Sequence, residues 1–150
     1  MDEPTSVTTS AIINVAEDLE RRSAAFYNEL ARRFPERKDI FLQAAGHSDK
    51  IRVQVVRTYR ETITDALEAC FSFEGMVLER WALDTSLADG ITLSEAVGLA
   101  LQVEGQAVAF YEEVAERSTS LLATITRAFR KAAKTRRRRC RDLQALDIER

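Results

Sequence analysis

The stretch Glu17-Asp18-Leu19-Glu20-Arg21-Arg22-Ser23-Ala24-Ala25-Phe26-Tyr27 returns as Leu101-Gln102-Val103-Glu104-Gly105-Gln106-Ala107-Val108-Ala109-Phe110-Tyr111. Each copy has a glutamate followed seven residues later by a tyrosine, and Ala25-Phe26-Tyr27 is matched by Ala109-Phe110-Tyr111. Seven residues make about two α-helical turns, so within each copy the Glu and the Tyr share a face. Projected at about 100° per residue, the face around Glu104 carries Val97, Ala100, Leu101, Ala107, Val108 and Tyr111. The face around Glu20 carries Ile13, Ala16, Ala24, Tyr27 and Ala31, with Glu17 and Ser23 towards its margins. A carboxylate in an apolar stripe must be paired, metal-bound or protonated to offset its lost hydration. One such Glu reads as a residue at the edge of a loose bundle. Two at matching positions read as a shared buried site.

Around this repeat, 150 residues with 45% apolar and 31% charged side chains make one domain, residues 1–150, with room for a core. A net charge of −2 and a pI near 5.6 argue against a generic polyanion binder and against a nucleic-acid partner. Met1-Asp2-Glu3-Pro4 is neither basic nor followed by a continuous apolar run, so we expect no signal peptide, no membrane span and a cytoplasmic location. Cys70 and Cys140 are too few and too far apart for a disulfide framework or a zinc site, and read as buried small hydrophobes.

The periodicity predicts four long helices. Thr8, Thr9 and Ser10 offer caps for a first helix ending near Phe34, where Pro35 stops it and opens the next. The second runs from about Glu36 to Ala69, with Ile40, Phe41, Ala44, Ala45, Ile51 and Val55 at helical spacing. From Cys70 to Ile91 the pattern loosens into an apolar linker that includes Phe71, Phe73, Met76, Trp81, Leu83 and Leu87. Gly75 and Gly90 punctuate it, and a short helix is expected around Met76 to Leu83. Its length suits a crossover along the bundle, which we expect to let the second pair of helices enter in the same sense as the first. Any exposed part of it is a candidate surface for a homodimer. Thr92-Leu93-Ser94-Glu95 has the form of a capping box and starts a third helix, about Leu93 to Arg117. Ser118 and Ser120 are expected to cap a fourth, ending near Leu146, in which Phe129, Ala132 and Ala133 match Phe41, Ala44 and Ala45 at constant offset.

Two helical hairpins, each opened by a Glu-x6-Tyr helix, resemble the ferritin-like superfamily and above all its rubrerythrin branch. The resemblance covers nearly the whole chain and implies an all-α ferritin-like four-helix bundle made of two repeated hairpins joined by a long crossover. It also implies a di-iron centre, to which each hairpin supplies a Glu from its first helix and a Glu-x-x-His from its second. Glu20 and Glu104 match the first requirement. The second is missing: the alignment puts Ser48 and Ile51, and Arg136 and Arg139, where the Glu and His should stand. None of these is a good iron ligand, and Arg cannot deprotonate to become one.

Periodicity places Arg136 among Ile125, Phe129, Ala132, Ala133 and Leu143, with Arg139 on the same side, while Arg137 and Arg138 point outwards. Two inward guanidiniums balance two inward carboxylates. A core charge network of Glu20, Glu104, Arg136 and Arg139, with Tyr27 and Tyr111 beside it, is therefore expected in place of metal. Glu20 and Glu104 are then vestigial metal ligands, no cofactor is expected, and the protein is read as a non-enzymatic structural or interaction protein. Two rival readings stand beside it. One is an iron-dependent oxidoreductase of the rubrerythrin type, or a single-metal site made of Glu20, Glu104 and the one histidine, His47. The other is a nucleic-acid or acidic partner for the basic fourth helix, through Arg127, Arg130, Lys131, Lys134, Arg137, Arg138 and Arg141. A solvated face paired with Glu112, Glu113 and Glu116 accounts for the same arginines.

Overall fold

The protein, as a computed structural model, is described at residues 6–62, 72–74, 78–118 and 123–148. Its architecture is an all-α four-helix bundle with helices α1 (Thr9–Arg33), α2 (Lys38–Thr62), α3 (Leu93–Ser118) and α4 (Ala123–Ile148). A short antiparallel ribbon joins β1 (Ser6–Thr8) to β2 (Ser72–Glu74), with Ser6 opposite Glu74 and Thr8 opposite Ser72. Among the described residues, no helix is long and apolar enough to cross a membrane.

Local chemistry sets the helix ends. Extended backbone at Thr8 lets its Oγ1 accept the Ala11 N–H at 3.1 Å, which satisfies one of the free donors of the first turn. At the other end of α1 the Phe34 N–H closes on Leu30 O, and Pro35 begins the 3-10 turn Pro35–Arg37 that leads directly into α2. So short a link makes α1 and α2 antiparallel neighbours. The capping box opening α3 is reciprocal: Thr92 Oγ1 accepts from the Glu95 N–H and Glu95 Oε1 from the Thr92 N–H, each at 3.1 Å. Ser118 is the last residue of α3, while its side chain, Ser120 and the end of the expected second helix, 63–69, lie outside the described residues.

The crossover decides how the hairpins meet. β2 lies against the start of α1, the 3-10 turn Leu78–Trp81 lies along the middle of the bundle, and Ala88 O accepts from Arg33 at the far end of α1. Gln106 of α3 pins the strap midway by donating Nε2 to Ala82 O at 3.1 Å and to Arg80 O at 3.3 Å. Trp81 and Leu83 are buried, with the Trp81 ring centred 5.7 Å from that of Phe110. Gly90, at φ +74°, then takes the left-handed turn before α3 that a side chain would strain. Phe71, Met76 and the Phe73 side chain lie outside the described residues.

A strap that travels the full length of the bundle delivers α3 to the end where α1 finishes. The two helices consequently run in opposite senses, as Glu20 beside Tyr111 and Tyr27 beside Glu104 require. This corrects the expected common sense of the two hairpins: a short link, not a full-length one, would have returned α3 to the start of α1. Helix α1 packs chiefly on α2 and α3 on α4, and α2 and α4 close one side of the bundle. Tyr27 stacks near Phe41, and Tyr111 meets Phe129 edge to face, so each hairpin contributes a tyrosine–phenylalanine pair to the core. Cys140 is half-buried rather than fully buried, and Cys70 is outside the described residues.

Candidate functional site: a closed charge centre

Helical period turns Glu20, Ser23 and Tyr27 of α1, Ser48 of α2, Glu104 and Tyr111 of α3, and Arg136 and Arg139 of α4 into the same interior. Arg136, Glu20, Glu104, Tyr27 and Tyr111 have no exposed surface at all, 0% each, and Arg139 retains 4%. At the centre, the Arg136 guanidinium spans both carboxylates. Its Nη2 donates to Glu20 Oε1 at 2.7 Å, its Nε to Glu20 Oε2 at 3.3 Å, and its Nη1 to Glu104 Oε2 at 2.5 Å. The planar fork suits this double task, which a lysine ammonium would not match.

Each tyrosine reaches the carboxylate of the opposite repeat rather than its own. Tyr27 Oη donates to Glu104 Oε2 and Tyr111 Oη to Glu20 Oε2, both at 2.5 Å. Burial raises both phenol pKa values well above the ordinary range, and the facing carboxylate raises each further. Both therefore remain donors. Burial also works against the charge on Arg136, but Glu104 and Glu20 outweigh it and hold its pKa above normal. Arg139 is less completely matched: its Nη1 donates to Ser48 Oγ at 3.0 Å and reaches Glu104 Oε2 at 3.5 Å, and its guanidinium carbon lies 5.5 Å from the centre of the Tyr27 ring. Its Nε and Nη2 have no hydrogen-bond partner, nor does Glu104 Oε1.

Ser23 is a member of the centre that sequence reasoning left at the margin of its stripe. It accepts Arg136 Nη2 at 2.8 Å while donating to Leu19 O at the same distance. Its position three residues after Glu20 and four before Tyr27 is the signal that would have found it. Ser48, read only as a lost ligand, is an acceptor for Arg139. His47 is half-buried between α2 and α4, in the wall of a cavity that also includes Lys50, Arg138 and Asp142. Burial, then Arg139 and Lys50, lower its pKa. Among the described residues, no three His, Cys, Asp or Glu side chains gather in a way that could hold a metal ion. The single-metal reading that joined His47 to Glu20 and Glu104 is corrected accordingly.

Comparisons with known proteins leave the centre to be read from its own chemistry. No family model, no curated protein and no solved structure matches the chain.

The outer face of α4 divides in two. On the α3 side, Arg137 pairs with Glu112, and Arg130 and Lys134 share a cleft with Glu112 and Glu116. On the α2 side, Arg127, Lys131 and Arg138 are exposed and have no carboxylate within salt-bridge distance among the described residues.

Proposed function

We propose that the chain is a ferritin-like protein of the rubrerythrin type whose di-iron centre has been replaced by a neutral Glu-Arg-Tyr centre. In this reading it acts as a non-enzymatic structural or interaction protein and works as a homodimer. The observation that carries the reading is Arg136, which lies fully buried between Glu20 and Glu104 and occupies both carboxylates. Iron does not fit these residues. A cation would have to displace a guanidinium already bonded to both carboxylates, and Ser48, Ile51, Arg136 and Arg139 offer no replacement ligands. The rival oxidoreductase reading also lacks an approach for substrate, because Glu20, Glu104 and both tyrosines have no exposed surface.

A buried ion network of this kind adds little net stability over an apolar core, and its value lies in fixing which helices face one another. The centre touches all four helices, through Glu20, Ser48, Glu104 and Arg136, so it specifies their register. Elemental analysis after expression in iron-supplemented medium should find no stoichiometric iron. About two irons per chain, the number the resemblance implies, would overturn the reading. Sedimentation of the wild type checks the homodimer, which a monomer at all concentrations would remove.

A further inference from the structure

The groove between α2 and α4 stands apart from the rest of this acidic chain. Several arginines elsewhere pair with carboxylates: Arg21 with Glu17, Arg22 with Asp18, Arg32 and Arg33 with Glu29, Arg117 with Glu113 and Arg137 with Glu112. In the groove the pattern stops. A cavity of about 210 Å³ is bounded by His47, Lys50, Lys131, Arg138 and Arg139, with Asp142 as the one carboxylate among the described residues of its wall. A second cavity of about 290 Å³ shares Gln54 and Lys131 with it and adds Arg57 and Arg127. Among the described residues, six lysine and arginine side chains thus face a single acid, in a chain whose net charge is −2.

The inner wall supplies a second, independent observation. Arg139 is 4% exposed, meets Glu104 only at 3.5 Å, and has two donors with no acceptor. The same guanidinium lines the cavity, so its charge, met only loosely by Glu104, adds to that of the lysines there. We propose that the cavity bounded by His47, Lys50, Lys131, Arg138 and Arg139 binds a small tetrahedral oxyanion of the phosphate class, either free or as the phosphoryl group of a small molecule.

Size and composition favour a small anion over a nucleic-acid strand. The smaller cavity holds about seven waters at roughly 30 Å³ each, room for one oxyanion with part of its hydration shell. Among the described residues, neither cavity has a Phe, Tyr or Trp in its wall on which bases could stack. The site is independent of the proposed loss of iron, because it needs only the exposed cations and Arg139.

The single imidazole, His47, is a convenient reporter. Its NMR resonances should shift and saturate on titration with inorganic phosphate, and should not do so with sodium chloride at matched ionic strength. Glycerol phosphate as a second titrant separates the two sources, since tighter binding than inorganic phosphate marks a phosphomonoester and weaker binding the free ion. Lys50→Gln and Lys131→Gln should each weaken phosphate binding about tenfold, the effect of one charge-assisted hydrogen bond. Lys134→Gln, on the α3 side of the same helix, should leave it unchanged. Both lysine substitutions are at exposed positions and preserve the core. The proposal fails if phosphate moves the imidazole no more than chloride does, or if Lys134→Gln weakens binding as much as the groove variants. Binding of a single-stranded oligonucleotide with no response to inorganic phosphate would also overturn it, in favour of a polyanion surface.

Discussion

Replacing Arg136 by methionine removes the one side chain that both core carboxylates share. Glu20 loses two donated bonds and is left in the interior with a tyrosine hydroxyl, Glu104 loses its shortest guanidinium contact and keeps Tyr27 and the longer one to Arg139, and Ser23 loses its donor. Breaking a buried pair in this way costs about 3–5 kcal/mol, whereas removing a balanced pair can be close to neutral. The balanced change is Arg136→Met with Glu20→Gln, because Arg139 and Glu104 then remain, 3.5 Å apart and of opposite charge. Urea denaturation of the wild type, the two single variants and the double variant closes the cycle. With a slope of about 2 kcal/mol per molar urea, a loss of about 4 kcal/mol lowers the midpoint by about 2 M. We expect each single variant to lose about that much and the double variant to lose less than either single variant. Additive single effects, each below about 1 kcal/mol, are the signature of exposed pairs and would refute a closed centre.

Two further outcomes follow from the same packing. Tyr27 and Tyr111 should not titrate near pH 10 in the folded protein, followed by ultraviolet absorbance at alkaline pH, because both are held protonated by burial and the facing carboxylates. The unfolded chain ionises these phenols first, so stability should fall as pH rises past about 10; three tyrosines titrating together without unfolding would contradict the burial. Trp81→Ala should cost about 3–5 kcal/mol in chemical denaturation, because the ring holds the crossover against Phe110, and a loss below about 1 kcal/mol would mean that the strap is not anchored there.

What could be read from the sequence was what depends on period and on local chemistry. The capping box from Thr92 to Glu95 spans four residues, so its bonds could be anticipated from four letters. The run Arg136 to Arg139 alternates buried, exposed, exposed and buried because adjacent residues on a helix differ by about 100° in direction. The sense of α3 was misjudged because it depends on where a long strap ends, which no local pattern records. The reciprocal tyrosine bonds were hidden for the same reason: a shared face on one helix does not say which helix it will meet. Ser23 was undervalued because a small polar residue at the rim of a stripe looks like solvent surface until a guanidinium is placed over it. His47 fits its boundary position, and its neighbours Lys50 and Arg138 come from different helices, so the groove they form was invisible in either helix alone.

Swapping the halves of the chain carries the bond from Tyr27 to Glu104 onto the bond from Tyr111 to Glu20. The space between the two bonds admits one guanidinium that reaches both carboxylates. Arg136 of α4 lies there, and the corresponding position of α2 is Ser48, short enough to leave that space and to receive Arg139. A second pair of arginines from α2 would set four guanidiniums against two carboxylates, in a volume already filled. The unlike letters at 48 and 136 therefore mark how α2 and α4 divide one space, the short side chain making room for the long one.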